Sequence, residues 1–348
     1  MLLNLRKGKD EEEDAGDIKD KSGDETKVKK PRKKKEVKRP WGKRERIIVF
    51  LLIIVTVGTS AILALSSRSW KLPNLPRISV PNISIFQEET IIIEGNKKSD
   101  GDSTKPVQNF ESKTKGLSGV YGLYIIELDT NTHMGVYKKE SFKAASLIKL
   151  PVMAAMLQEA EFGNLDLNEE YVLKETDKTA GSGSLYYEDE GYIVTYGDLV
   201  ELMGKESDNT AFAISVDLLG EEKIEKVQEQ FGMTDTSKED NSTTPADIAS
   251  FFQKIYESEV LTKPNSDKII SYLTDTAYEE WLTVGIPEDV VVSHKYGAIP
   301  QTVNDAGIVY AEEPYIVVIV SKGVVAKEAD EVFPELSESI YNDLQTIN

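Results

Sequence analysis

The chain has no cysteine, so it can build neither a disulfide framework nor a thiolate zinc site. Histidine is almost as scarce: only His133 and His294 occur in 348 residues. A Ser-His-Asp triad or a multi-histidine metal centre would have to draw on one or both of them. The sequence carries no internal repeat, and no nucleotide-binding loop, metal cluster or DNA-reading motif competes for the reading. No metal and no cofactor are expected.

Charge is unevenly spread. Residues 1–46 hold 17 Lys+Arg against 11 Asp+Glu, whereas the rest of the chain holds 24 against 49. Residues 47–67 contain no charge at all and are mostly Ile, Leu and Val. At about 1.5 Å per residue such a run crosses a ~30 Å hydrocarbon core, so it is read as one transmembrane helix. A buried core helix and a cleaved signal peptide are the alternatives. Core helices are usually shorter and rarely follow a basic block, and a signal peptide would need an n-region of over 40 residues. The basic block at 29–46 keeps the N-terminus cytoplasmic by the positive-inside rule, and attraction to anionic lipid accounts for it without nucleic acid. The C-terminal bulk is then extracytoplasmic.

Four parts follow: a basic cytoplasmic tail (1–46), a membrane helix (47–67), a linker or stalk (68–116) rich in Pro, Ser, Asn and Lys, and a globular domain (117–348). In that domain two strands, 121–128 and 135–137, form a hairpin through Asp129-Thr130-Asn131. Helices are predicted at 146–161, 198–203 behind a Thr195-x-x-Asp198 cap, 209–219 and 246–256. Strands return at 290–293, 308–310 and 315–320, before a last helix around Ile340 and Leu344. The order predicts an α+β layered fold whose first hairpin completes a sheet made mainly of C-terminal strands.

Three short motifs stand in order: Ser146-Leu147-Ile148-Lys149, Ser207-Asp208-Asn209 and Lys295-Tyr296-Gly297. Ser146 opens an apolar helix and Lys149 lies one turn on, within reach of its hydroxyl. A serine hydroxyl needs a base, and a lysine serves when its pKa falls from ~10.4 toward ~7 to 8. The structural alternatives are an N-cap with a solvated lysine, a turn with an N-cap, and a strand with an exposed lysine. Pro151, two residues after Lys149, is expected to bend the first turns. Two accidental matches, Ser112-x-x-Lys115 and Lys21-Ser22-Gly23, fall in the linker and the tail.

Together the three motifs resemble those of class A β-lactamases and penicillin-binding proteins. Thr243-Thr244-Pro245 and Asn304-Asp305-Ala306-Gly307 are similar to further stretches of that family, and the likeness covers residues 117–348. It implies a β-lactamase-like antiparallel sheet flanked by helices, with a helical subdomain. The roles it implies are Ser146 as nucleophile, Lys149 as base, Ser207 as proton relay to the leaving nitrogen, and Asn209 as orienter of lysine and substrate. Lys295 would supply charge that helps depress Lys149. The N–H groups of Ser146 and Ala298 would form the oxyanion hole, and Tyr296 and Gly297 would meet the substrate.

Two departures bear on function. Residues 220–245 are too short for the Ω-loop that carries a deacylating glutamate in class A enzymes. Their acids, Glu221, Glu222, Glu225, Glu229, Asp235, Glu239 and Asp240, stand in no matching Glu-x-x-x-Asn context. Tyr296 replaces the usual Thr or Ser that binds a substrate carboxylate, and no arginine follows in 299–309. The expected function is a membrane-anchored serine amide hydrolase acylated by a β-lactam or a D-alanyl peptide of the cell wall. A D,D-peptidase and a catalytically idle envelope scaffold are the alternatives.

Overall fold

The computed structural model describes residues 105–345, the backbone of the strand Thr90–Ile93 and the single residue Thr56. The basic tail, the membrane run apart from Thr56 and much of the anticipated stalk lie outside the described residues. Among the described residues no helix is long and apolar enough to cross a membrane.

The first elements are β1 (Thr90–Ile93), α1 (Lys105–Thr114), β2 (Val120–Glu127), β3 (Thr132–Val136) and the short β4 (Phe142–Lys143). A 3-10 turn, Ala145–Ile148, runs into α2 (Lys149–Glu161). Then come β5 (Glu170–Val172), β6 (Ile193–Thr195), α3 (Tyr196–Lys205), α4 (Asn209–Leu219), α5 (Glu221–Gln230), β7 (Ser242–Thr243), α6 (Pro245–Glu257) and α7 (Lys263–Tyr272). The chain closes with β8 (Val292–Ile299), β9 (Thr302–Val309), β10 (Tyr315–Lys322) and α8 (Ala326–Gln345).

Six strands make one antiparallel sheet in the order β1-β3-β2-β10-β9-β8. The N-terminal hairpin joins the C-terminal strands through β2 and β10, with Leu123 opposite Ile319. β2 and β10 are dense in β-branched and aromatic residues because both of their faces are buried. Tyr124, Ile126, Ile316 and Val318 enter a core shared with the helices α2 to α7. Leu123, Ile125, Val317 and Ile319 enter a second core closed by α1 and α8. The period-2 alternation of a strand therefore divides one apolar run between two cores.

The helix α2 is buried along residues 149–158, on every side, as the middle of the helical layer. The bend anticipated at Pro151 takes another form. The chain changes from 3-10 to α at Lys149, which places Pro151 in the first α turn, where N–H groups lack intrahelical partners anyway.

Three expectations need correction. The domain does not start at Leu117: β1 pairs with β3, and α1 buries Val107 and Phe110 against the second core. Two apolar residues one turn apart in a polar stretch are too sparse a signal to mark a helix. Next, Lys295-Tyr296-Gly297 does not follow a strand but lies inside β8, where an eight-residue ladder with β9 overrides the weak strand preference of Lys, Gly and Ala. Finally, residues 221–230 form α5 and residues 263–272 form α7, neither of which was anticipated.

Candidate active site

Ser146 is the second residue of the 3-10 turn, half-buried at the head of the central helix. The chain reaches it through Ala145, whose backbone is left-handed at φ +49. That conformation costs a non-glycine residue about 1–2 kcal/mol and is held by its surroundings. Asn304 of β9 donates its amide Nδ2 to the carbonyls of Lys143 (2.8 Å) and Ala144 (3.1 Å). The Ala144 N–H donates to the carbonyl of Asn241 (2.9 Å), and β4 pairs with β7. Thr244 meanwhile caps α6, sharing Asp247 with Thr236 and the Asp235 N–H. The Thr-Thr-Pro and Asn-Asp stretches noted in the sequence are thus the frame that aims the segment carrying Ser146.

Lys149 points back along the first helical turn, with Nζ 3.3 Å from Ser146 Oγ. It is nearly fully buried, and burial lowers its pKa from the ordinary lysine value to about 7, against an opposing pull from the Asp208 carboxylate. Its other neighbours are the Ser207 carbonyl, Ser207 Oγ (3.1 Å) and Asn209 Oδ1 (2.7 Å). A carbonyl and an amide oxygen can only accept hydrogen bonds, so they take two N–H groups. In the neutral amine the lone pair is then left for a hydroxyl donor, and Ser146 Oγ supplies one.

Ser207 and Asn209 are placed by the join between α3 and α4. Ser207 is buried in left-handed backbone at φ +53, and Asp208 caps α4 by accepting from the Ala211 N–H (2.8 Å). The second oxygen of Asp208 accepts the Leu185 N–H (2.8 Å) and pulls the loop 181–185 against the cleft. A side chain on Gly183 would collide with that carboxylate at 2.0 Å, so the loop needs glycine there. Ser182 Oγ donates to the Ser207 carbonyl (2.6 Å), and Asn209 Nδ2 donates to the Ala180 carbonyl (3.1 Å).

β8 forms the opposite wall. Gly297 lies against Ser146: an added Cβ would stand 2.8 Å from the Ser146 nitrogen, so glycine permits the close approach. Lys295 is buried behind the wall and donates to the Tyr296 carbonyl (3.3 Å). Burial pushes its pKa well down, and repulsion from Lys149 adds to that. Burial is the largest cause of the lowering at both lysines, and the repulsion between them is mutual. Next to it, His294 is sealed between Asp305 (2.7 Å) and Glu279 (3.2 Å), and these carboxylates raise its pKa to about 9 against the opposing effect of burial.

These walls enclose a cleft of about 590 Å³. Of the residues anticipated, Ser146, Lys149, Ser207, Asn209, Tyr296 and Ala298 line it, while Lys295 and Gly297 lie behind its surface. Sequence reading missed Ser182, Phe212, Asn241 and Tyr278, which also line it. The loop 179–184 reads only as a glycine- and serine-rich connection, and nothing local marks Tyr278. No acid is among the lining residues, and all seven acids of 220–245 named above are exposed elsewhere.

A family model described as the beta-lactamase enzyme family matches residues 103–344. The chain belongs to that family. A beta-lactamase of Citrobacter koseri is 22% identical over 246 residues, covering 64% of this chain and 82% of its own length. The beta-lactamase VEB-1 of Pseudomonas aeruginosa is 22% identical over 297 residues, covering 78% and 96%. Among solved structures, PBP-A superposes with a TM-score of 0.67 at 24% identity, covering 71% of this chain and 98% of PBP-A. A beta-lactamase from Sphaerobacter thermophilus gives 0.66 at 22%, covering 71% and 99%. The structural likeness speaks to the fold, and the family match begins close to α1, in keeping with a domain that starts before Leu117.

Proposed function

We propose that this β-lactamase-family chain is a serine acyltransferase or hydrolase that opens an amide by forming an acyl-enzyme at Ser146, with deacylation slow. The observation that carries the reading is the buried Lys149 amine, held 3.3 Å from Ser146 Oγ with a pKa near 7. Neutral Lys149 takes the hydroxyl proton as Oγ attacks the carbonyl carbon. The oxyanion collects the N–H groups of Ser146 and Ala298. As the carbon–nitrogen bond breaks, the proton held by Lys149 passes through Ser207 Oγ to the leaving nitrogen, while Asn209 orients the lysine and the substrate amide. Among the described residues no acid lines the cleft to serve as a base for the deacylating water, which favours a penicillin-binding or D,D-peptidase role over fast β-lactam hydrolysis. A variant of PBP-A has been captured as an acyl-enzyme with penicillin G, and a β-lactam or D-alanyl peptide amide is the corresponding substrate class here. In this reading the run 47–67 anchors the chain, the basic tail is cytoplasmic and the catalytic domain faces the envelope.

The test is to treat the full chain with a fluorescent penicillin, chase with unlabelled drug and follow intact mass beside Ser146→Ala. One adduct per chain that survives the chase and is absent from Ser146→Ala is expected. Rapid loss of the adduct would point to a β-lactamase with another water activator. No adduct at any concentration would sink the acylation reading and leave an envelope scaffold.

A further inference from the structure

The wall opposite Lys149 is aromatic where an anion-binding wall would be cationic. Tyr296 stacks on Tyr278, with ring centres 5.1 Å apart and planes at 22°, and rests on Trp281 at 3.9 Å. Trp281 is itself fixed, donating Nε1–H to Asp330 (3.1 Å). Ile299, Pro300 and Phe212 continue the apolar lining.

Among the described residues lining the cleft, Lys149 is the only cation. No arginine occurs after Arg77, so the domain has no guanidinium to fork a carboxylate. Lys149 spends its N–H groups on Ser207 and Asn209, and Lys295 is sealed behind Tyr296. The charges that do bear on the two tyrosines are carboxylates: Glu280, Asp305 and Asp330 around Tyr296, and Glu206, Glu280 and Asp208 around Tyr278. Burial first, and these carboxylates in addition, raise the pKa of both phenols, and the carboxylates would repel a substrate anion placed against the rings.

We infer that the cleft selects acyl donors whose group beside Tyr296 and Tyr278 is uncharged and flat or apolar, such as an ester, a neutral amide or an aromatic ring, in place of a free carboxylate. Tyr296 is the specificity-determining residue and Tyr278 its stacking partner. Contact with a fixed aromatic surface contributes without requiring the desolvation of a charge. The inference rests on acylation of Ser146, and its test separates the two claims.

The experiment measures second-order acylation of the full chain by benzylpenicillin and by its methyl ester, which differ only in the carboxylate, following the Ser146 adduct by intact mass. The ester is expected to acylate at least as fast as the acid. Tyr296→Phe, which keeps the stacking face, should preserve that ratio. Tyr296→Thr, which removes the ring and supplies a hydroxyl, should shift the ratio toward the acid by about tenfold or more, a readout that general damage to the fold would not move. An acid preference of tenfold in the parent chain overturns the inference and leaves Ser146 as nucleophile. So does an unchanged ratio in Tyr296→Thr, or a Tyr296→Phe variant that loses acid reactivity alone. Failure of both compounds to form an adduct overturns the acylation reading and this inference with it.

Discussion

The two walls of the cleft are built on different principles. On the helical side Ser146, Lys149, Ser207 and Asn209 are tied by hydrogen bonds of 2.5–3.3 Å, and the backbone is left-handed at Ala145 and Ser207. On the strand side Tyr296, Tyr278 and Trp281 meet by ring stacking, and Ala298, Ile299 and Pro300 are exposed. A hydrogen-bonded network leaves little choice of residue type, since each buried donor and acceptor must find its complement. A stacking surface constrains shape and tolerates change in chemistry. In the proposed function the chemical step is therefore lodged where substitution is most costly, and recognition where it is least costly.

That contrast can be broken experimentally. The largest effect is expected at Lys149→Ala, which removes the proposed base and should slow acylation about 10³-fold in the labelling assay. A loss below tenfold would move the base role to another group. Next is Asp208→Ala, which leaves the Ala211 and Leu185 N–H groups without their buried acceptor. It should cost about 2–4 kcal/mol of stability, read as a lower urea midpoint. An unchanged midpoint would show that the polar wall does not depend on this cap.

The smallest effect is the pH profile. Burial lowers Lys149, so its neutral, reactive form appears as pH rises through about 7. Acylation should climb about tenfold between pH 6 and pH 8 and then level off. A flat profile would contradict a lysine base, whereas a profile kept in Tyr296→Phe would sharpen the separation between the walls.

Much of the helical wall was legible in the sequence because its spacing is local: Ser146 and Lys149 are one turn apart, and the helix Asn209–Leu219 starts as anticipated behind the cap of Asp208. The strand wall was harder to read. Lys295, Tyr296 and Gly297 were identified, but they were placed after a strand instead of within it, because pairing with β9 outweighs their local preference. Tyr278 and Ser182 were invisible, since each reaches the cleft through a loop whose position is set by distant contacts. The sparse apolar pattern of α1 likewise hid a helix that closes the second core.

The sequence by itself determined the succession of a first hairpin, a helix-rich middle and late strands, the absence of cysteine and of later arginine, and the candidate residues for the chemistry. These are matters of composition and short-range periodicity. Only the tertiary structure decided that Lys149 is buried enough to lose its charge near neutrality, that Lys295 stands behind the wall, and that Tyr296 faces Tyr278. Burial and ring stacking are produced by segments far apart in the chain, and their energies exist only once those segments meet.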